Sequence, residues 1–262
     1  MNPLGKAILQ FCRSTIGRKL IVALTGVLLV LFLLGHVAGN LLVFQGREAM
    51  NDYAQFLHTM LHGQGVWIAR IGLLIAVGLH IWATVSLVKD NRAARTERYA
   101  LPATVQASKS SRIMIWSGLT ILAFVVFHIL HFTVRIDPAL ANLPDAAYAA
   151  AHPGESRHDV YAMVIKGFQN PLVSLFYIVA ITLLCSHLSH GIASLFQTLG
   201  WRSRKSAALE KQLGWAIAIA LWIGFLSIPA AVLTGALKDK PSVSGQKAAI
   251  PSDPAAPAPR QG

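Results

Sequence analysis

The chain has 262 residues, 54% of them hydrophobic and only 13% charged, with 23 Lys and Arg against 11 Asp and Glu for a net charge of +12. That balance excludes a disordered chain and an ordinary soluble domain, and it suits a polytopic membrane protein. The basic excess falls in short segments beside apolar runs, so orientation and lipid headgroups account for it better than nucleic acid does.

Residues 1–19 carry Lys6, Arg13, Arg18 and Lys19 without an acid. They lack a short apolar stretch with a small-residue cleavage site, and the apolar run that follows is too long for a signal segment, so it is expected to be retained. Five runs are long enough to cross about 30 Å of hydrocarbon as helices. They are Leu20–Phe44, Val66–Val88, Ile113–Val134, Leu172–Leu199 and Leu213–Leu237. None alternates with period two, which leaves helices as the way to satisfy their backbone in lipid. The expectation is an all-α integral membrane protein, one domain over residues 1–237, with the first four spans forming a bundle.

Segment 45–65, after the first span, holds a candidate amphipathic surface helix around Glu48–Leu61. Segment 89–112 carries Lys89, Arg92, Arg95, Arg98, Lys109 and Arg112 against Asp90 and Glu97, and 200–212 carries Arg202, Arg204, Lys205 and Lys211 against Glu210. The opposite segments, 45–65 and 135–171, hold only Arg47, Arg135, Arg157 and Lys166, with acids in slight excess. The positive-inside rule then puts the N-terminus in the cytoplasm and the C-terminus outside the inner membrane. Span five contains Pro229 but no histidine and reads as lipid-side support, and the Ala- and Pro-rich stretch 238–262 reads as a disordered tail. Cys12 and Cys185 are too far apart in sequence and setting to imply a disulfide framework, and no C-x-x-C-H occurs to attach haem covalently.

Histidines inside the spans carry the chemistry. His36, His80, the pair His128 and His131, and the pair His187 and His190 fall on four different spans. An ionisable group in hydrocarbon is costly and marks function, and neutral imidazole is the usual axial ligand of haem iron. With a rise of about 1.5 Å per residue, His36 and His128 reach the outer half of the membrane, and His80 and His187 the inner half. One ligand on each of four helices, at two levels, is the pattern two bis-histidine b haems require. His131 and His190 share a helix face with His128 and His187, so depth leaves each of those choices open. Gly35, Gly39, Gly78 and Gly191, near the histidines, let a helix or flat macrocycle approach closely. His58, His62, His152 and His158 fall in outer segments and are expected to be solvated, with His58 or His62 able to line a quinone pocket.

Several stretches also resemble a known family. They are Ser14-Thr-Ile-Gly-Arg-Lys through Thr25-Gly26 to Leu34-Gly-His-Val-Ala-Gly-Asn40, then Gln45-Gly-Arg-Glu-Ala-Met-Asn-Asp-Tyr-Ala-Gln-Phe56 and Leu79-His80. Phe127-His-Ile-Leu-His-Phe-Thr133 and His187-Leu-Ser-His-Gly191 complete the series. In this order they resemble the di-haem cytochrome b membrane anchor of succinate dehydrogenase and fumarate reductase (succinate:quinone oxidoreductases), the type with a single five-helix anchor. The resemblance covers residues 14 to about 237. It implies His36 and His128 as iron ligands of an outer haem and His80 and His187 as those of an inner haem, preferring them to the alternates His131 and His190. It further implies a cytoplasmic flavoprotein subunit, an iron–sulfur subunit docked on the basic inner face, and a quinone, menaquinone by expectation, exchanging electrons with the haems. The anchor itself performs no succinate chemistry. Arg18, Lys19 and Arg112 would neutralise inner propionates, and Arg70 and Arg135 outer ones. The chain departs from some family members in having no Asp or Glu between Asp52 and Asp90 or between Asp159 and Glu210, so carboxylate proton-transfer roles do not carry over.

Two other readings compete. Di-haem anchors of hydrogenases or formate dehydrogenases have fewer spans. A proton-coupled transporter would pair membrane histidines with buried acids or broken helices, and these spans hold no acid.

Overall fold

In a computed structural model, residues 2–94 and 114–239 are described. Among them every regular element is helical, and the only extended pairing is an isolated bridge between Pro144 and His158. Arg95, Arg98, Lys109 and Arg112, the first residue of the third expected span, and the tail from residue 240 lie outside the described residues.

The chain opens with α1 (Pro3–Arg13), an amphipathic helix with no buried residue, capped where the Gly5 N–H donates to Asn2. Ser14 separates it from α2 (Thr15–Asn40) and caps the new helix by accepting from the Gly17 N–H. After a tight turn over Leu41–Gln45, Gly46 at φ 107° redirects the chain into α3 (Arg47–Thr59). Leu61, His62 and Gly63, all at positive φ, then reverse it into α4 (Gln64–Ala93). Helix α5 (Met114–His128) continues as a wider π turn over Ile129–Val134, which Arg135 ends in the left-handed region. Three short helices follow, α6 (Pro138–Ala141), α7 (Ala146–Ala151) and α8 (Val160–Gln169), and then α9 (Pro171–Thr198) and α10 (Ala207–Leu233).

Five helices are long and apolar enough to cross a membrane: Thr15–Gln45, Gln64–Ala93, Met114–Val134, Pro171–Thr198 and Ala207–Leu233. The protein is a multi-pass, all-α membrane protein. The end carrying α1 and the α9–α10 turn is called inner below, and the opposite end outer. The expected surface helix around Glu48–Leu61 appears as α3. Span five ends at Leu233 rather than Leu237, because Gly235 at φ 74° turns the chain out of the helix.

Packing divides the bundle into two helix pairs. Helix α2 lies along α4, and α5 lies along α9. Helix α9 joins the pairs by touching α2, whereas among the described residues α5 has no comparable packing against α2 or α4. Leu24, Leu28 and Leu31 of α2, Leu74 and Ile75 of α4, and Trp116 and Leu119 of α5 are exposed, as surfaces solvated by lipid are.

Helix α10 is more central than its lack of histidine suggested. It packs along the whole of α9 and also meets α2 and α8. A β-carbon at Gly214 would stand 2.9 Å from the Ser189 carbonyl oxygen, and one at Gly224 would stand 2.6 Å from Val37. Missing side chains therefore let α10 seat against its neighbours, and Phe225 reaches the His36 ring at 5.8 Å between centroids. Lipid-side support is too weak a description for this helix.

The outer segment 135–171 is a folded cap. Helix α8 is buried nearly throughout, with Ile165 and Phe168 in the main apolar cluster beside Tyr177, Leu188 and Leu221. Asn51 of α3, itself buried, donates to Asp145 at 2.9 Å and Asp159 at 3.1 Å and accepts from the Tyr161 N–H at 3.0 Å. Arg157 bonds Asp145 at 2.9 Å and Glu48 at 2.7 Å, and Arg47 pairs with Asp159 and Asp239. A buried charge needs such partners, because an unpaired one is expensive.

Candidate functional site

Two histidine pairs come near each other between helices. Toward the outer end, His36 of α2 and His128 of α5 have ring centroids 5.8 Å apart, with the rings at 87° to each other. Two imidazoles facing across one metal, each bound at roughly 2 Å, would have centroids about 6 Å apart. Toward the inner end, His80 of α4 and His187 of α9 lie within electrostatic reach of each other. Each pairing joins a helix of the α2–α4 pair to one of the α5–α9 pair, across the side where those pairs do not pack.

Hydrogen bonds fix which nitrogen each inner histidine can offer. The Thr25 hydroxyl donates to the Ile21 carbonyl at 2.6 Å and lies 3.0 Å from His80 Nδ1. With that proton on the carbonyl, Nδ1–H of His80 donates to the hydroxyl and Nε2 keeps its lone pair. The same logic holds on α5, where the Ser117 hydroxyl donates to the Met114 carbonyl at 3.1 Å and stands 3.2 Å from His187 Nδ1. Both inner imidazoles thus set Nδ1 against a hydroxyl, which leaves Nε2 for a metal, as in metal-ligating histidines.

At the outer level one hydroxyl serves two rings. Tyr177 Oη of α9 lies 3.2 Å from His128 Nδ1 and 3.0 Å from His131 Nδ1. A phenol has one proton, so it can donate to at most one of the two imidazoles, and the other must donate to it. Tyr177 is held by edge-on contacts with Phe124 at 5.0 Å and Phe168 at 4.9 Å. His131 is buried and leans on Phe132 at 4.1 Å between centroids. Its ring lies beside Gly167 of the cap, where an added β-carbon would stand 3.2 Å from Cε1. Among the described residues no hydroxyl is found at the His36 ring, which stacks on Phe32 at 5.1 Å. His190 is half-buried one turn from His187.

The residues present fit a bis-histidine haem. Each pairing offers two imidazoles on separate helices, and a porphyrin supplies the remaining four ligands, so no third protein ligand is needed. Among the described residues no cluster of three or more His, Cys, Asp or Glu could hold a bare ion. Space beside Gly35, Gly78 and Gly191 is open, while Gly39 is covered by Tyr53.

The surrounding charges are arranged differently from expectation in several places. Arg18 is engaged by Asp90 at 2.7 Å, tying α2 to α4 at the inner end. Lys19 is exposed, and Arg70 lies over the Trp67 ring at 5.0 Å. Arg135 sits within electrostatic reach of His58 and His158. His58, His62 and His152 are exposed, as expected of outer segments. His158 is half-buried rather than solvated: its backbone bridges to Pro144, and among the described residues its buried Nε2 has no hydrogen-bond partner. Burial, with the nearby Arg135 and His58 charges, keeps its pKa below the usual histidine value. A cavity of about 400 Å³ opens near the cap, lined by His131, Asp137, Lys166, Gln169 and Asn170 among others. Neither His58 nor His62 lines it.

Sequence reasoning missed the hydroxyls of Thr25, Ser117 and Tyr177. A signal was present for two of them, since Thr25-Gly26 and Ser117-Gly118 are the same hydroxyl–glycine dipeptide in the inner halves of α2 and α5. Comparison with family models, curated proteins and solved structures finds no match for this chain.

Proposed function

We propose that this protein is the di-haem cytochrome b anchor of a succinate:quinone oxidoreductase, carrying electrons between a cytoplasmic iron–sulfur subunit and a membrane quinone, menaquinone by expectation. The observation that carries the haem part is the pairing of four intramembrane imidazoles at two levels, with Nδ1 of both inner rings engaged by hydroxyls and Nε2 left over. The succinate part rests on the ordered motifs in residues 14 to about 237.

In this reading His36 and His128 hold the outer haem, and His80 and His187 the inner one. The chemistry supplied at such sites is one-electron transfer, with no iron position left open for oxygen. The chain provides ligation, spacing and a dry setting: Phe124, Phe132 and Tyr177 pack around His128. The basic inner segments orient the protein N-terminus inward and give an iron–sulfur subunit, itself bound to a flavoprotein, a cationic face to dock on. Direction of flow, toward quinone or toward fumarate, is set by the potentials of the partners.

The test is a reduced-minus-oxidised absorption spectrum of the purified chain with haem quantified per polypeptide. About two protohaems per chain are expected, and His36→Ala and His80→Ala should each lose one of them. A colourless preparation would overturn the haem reading. Co-purification of flavin- and iron–sulfur-bearing subunits, with succinate reducing the haem, tests the partner assignment separately.

A further inference from the structure

Two places in the bundle repeat one local device. On α2, Thr25 and Gly26 face His80 of α4; on α5, Ser117 and Gly118 face His187 of α9. In each case the hydroxyl is buried and lies within bonding distance of a carbonyl of its own helix, so it can accept from Nδ1–H while donating to that carbonyl. In each case a β-carbon built on the following glycine would stand 3.7 Å from Cε1 of the same ring. Each glycine therefore leaves a methyl-sized space between the ring edge and the backbone of the neighbouring helix. The two histidines so treated are the inner pair. Of the outer pair, His36 has no such hydroxyl, and His128 shares Tyr177 with His131.

We infer that Thr25-Gly26 and Ser117-Gly118 are matched cradles that seat the two inner imidazoles and tune the metal they bind: each hydroxyl fixes the Nδ1–H tautomer, and each glycine sets the depth of the ring. This rests on the haem reading above and adds positioning residues to it. Neither dipeptide touches the metal. They act through the ring, because accepting a hydrogen bond from Nδ1–H makes imidazole a stronger donor at Nε2 and so favours the oxidised metal. At His187 the serine takes the place that a carboxylate or backbone carbonyl commonly fills behind a ligating histidine, and at His80 the threonine shares that place with the Val22 carbonyl. A hydroxyl supplies the acceptor without a buried charge, which suits a site in hydrocarbon.

The test is potentiometric titration of both haems in the intact protein carrying Thr25→Val or Ser117→Ala, with haem counted and low-temperature EPR of the oxidised state recorded alongside. Loss of either hydroxyl is expected to raise the reduction potential of the inner haem and shift its EPR signature while leaving the outer haem unchanged. The double variant should move further than either single one. The conservative exchanges Thr25→Ser and Ser117→Thr keep an acceptor and should restore both readouts. Gly26→Val and Gly118→Val should push the rings out and lower occupancy of the inner haem alone. The inference is overturned if the titrations of Thr25→Val and Ser117→Ala match the parent, if both haems shift together, or if Ser and Thr replacements behave like Val and Ala. Absence of haem from the parent protein would instead count against the reading on which the inference stands.

Discussion

At the scale of single residues, the site is defined less by the histidines than by the groups that hold their second nitrogen. Tyr177 is the most loaded of these, with one hydroxyl between two imidazoles and a ring wedged among Phe124, Phe168 and Phe176. Tyr177→Phe keeps the ring and removes only the hydroxyl. It should cost on the order of 1–3 kcal/mol, the penalty for leaving buried polar groups unsatisfied, read as a lowered thermal midpoint in detergent. A larger loss would mean that the ring had moved as well, and an unchanged midpoint would mean that the two imidazoles find other partners. No single histidine reveals this arrangement from sequence, because Tyr177 is 46 residues from His131 and meets it only through the packing of α9 on α5.

At the scale of elements, the spans, the surface helix α3 and the two-level histidine placement were legible because apolar run length and helical rise depend on sequence alone. The cap was not. Helix α8 is apolar, but it is only 10 residues long, and its burial depends on Asn51 and Asp159, residues 108 apart in sequence. The central role of α10 was equally hidden, since it follows from Gly214 and Gly224 meeting particular neighbours. Gly214→Val should destabilise the protein by about 1–3 kcal/mol, as overpacking does, because the contact it creates is with the Ser189 backbone rather than a flexible side chain. Thermal unfolding would show it, and an unchanged midpoint would remove α10 from the load the bundle carries. The cap also has a pH signature. Burial pushes the Asp145 carboxyl up, but hydrogen bonds from Asn51, the Tyr148 N–H and Arg157, together with the Arg157 charge, hold it below its ordinary value of 3.8. A depressed carboxyl stabilises above its unfolded value and loses that contribution as pH falls through the folded one. His158, buried neutral below its ordinary 6.5, acts in the same sense. Folding of the cap should therefore weaken in two stages on acidification, first below about 6.5 and again below about 3.8. Limited proteolysis of segment 135–171 against pH is the measurement, and protection that rises on acidification would contradict it.

At the scale of the whole molecule, the charge asymmetry makes a claim about direction that the two native cysteines can test. Cys12 lies on α1, partly exposed at the inner end, whereas Cys185 is buried within α9. A membrane-impermeant maleimide should therefore see Cys12 alone. By sequence, fourteen basic residues are shared among the three segments expected on that side: four in 1–19, six in 89–112 and four in 200–212. Such an excess holds an end in the cytoplasm. Inverted membrane vesicles should label Cys12, and right-side-out vesicles should leave it untouched until detergent is added. Ser156→Cys, on the exposed side of the cap, should report the reverse pattern. Labelling of Cys12 from the outside would turn the molecule over. It would then place His80 and His187, rather than His36 and His128, nearer the outer surface, and would move the proposed docking face of the iron–sulfur subunit to the side where no such subunit could reach it.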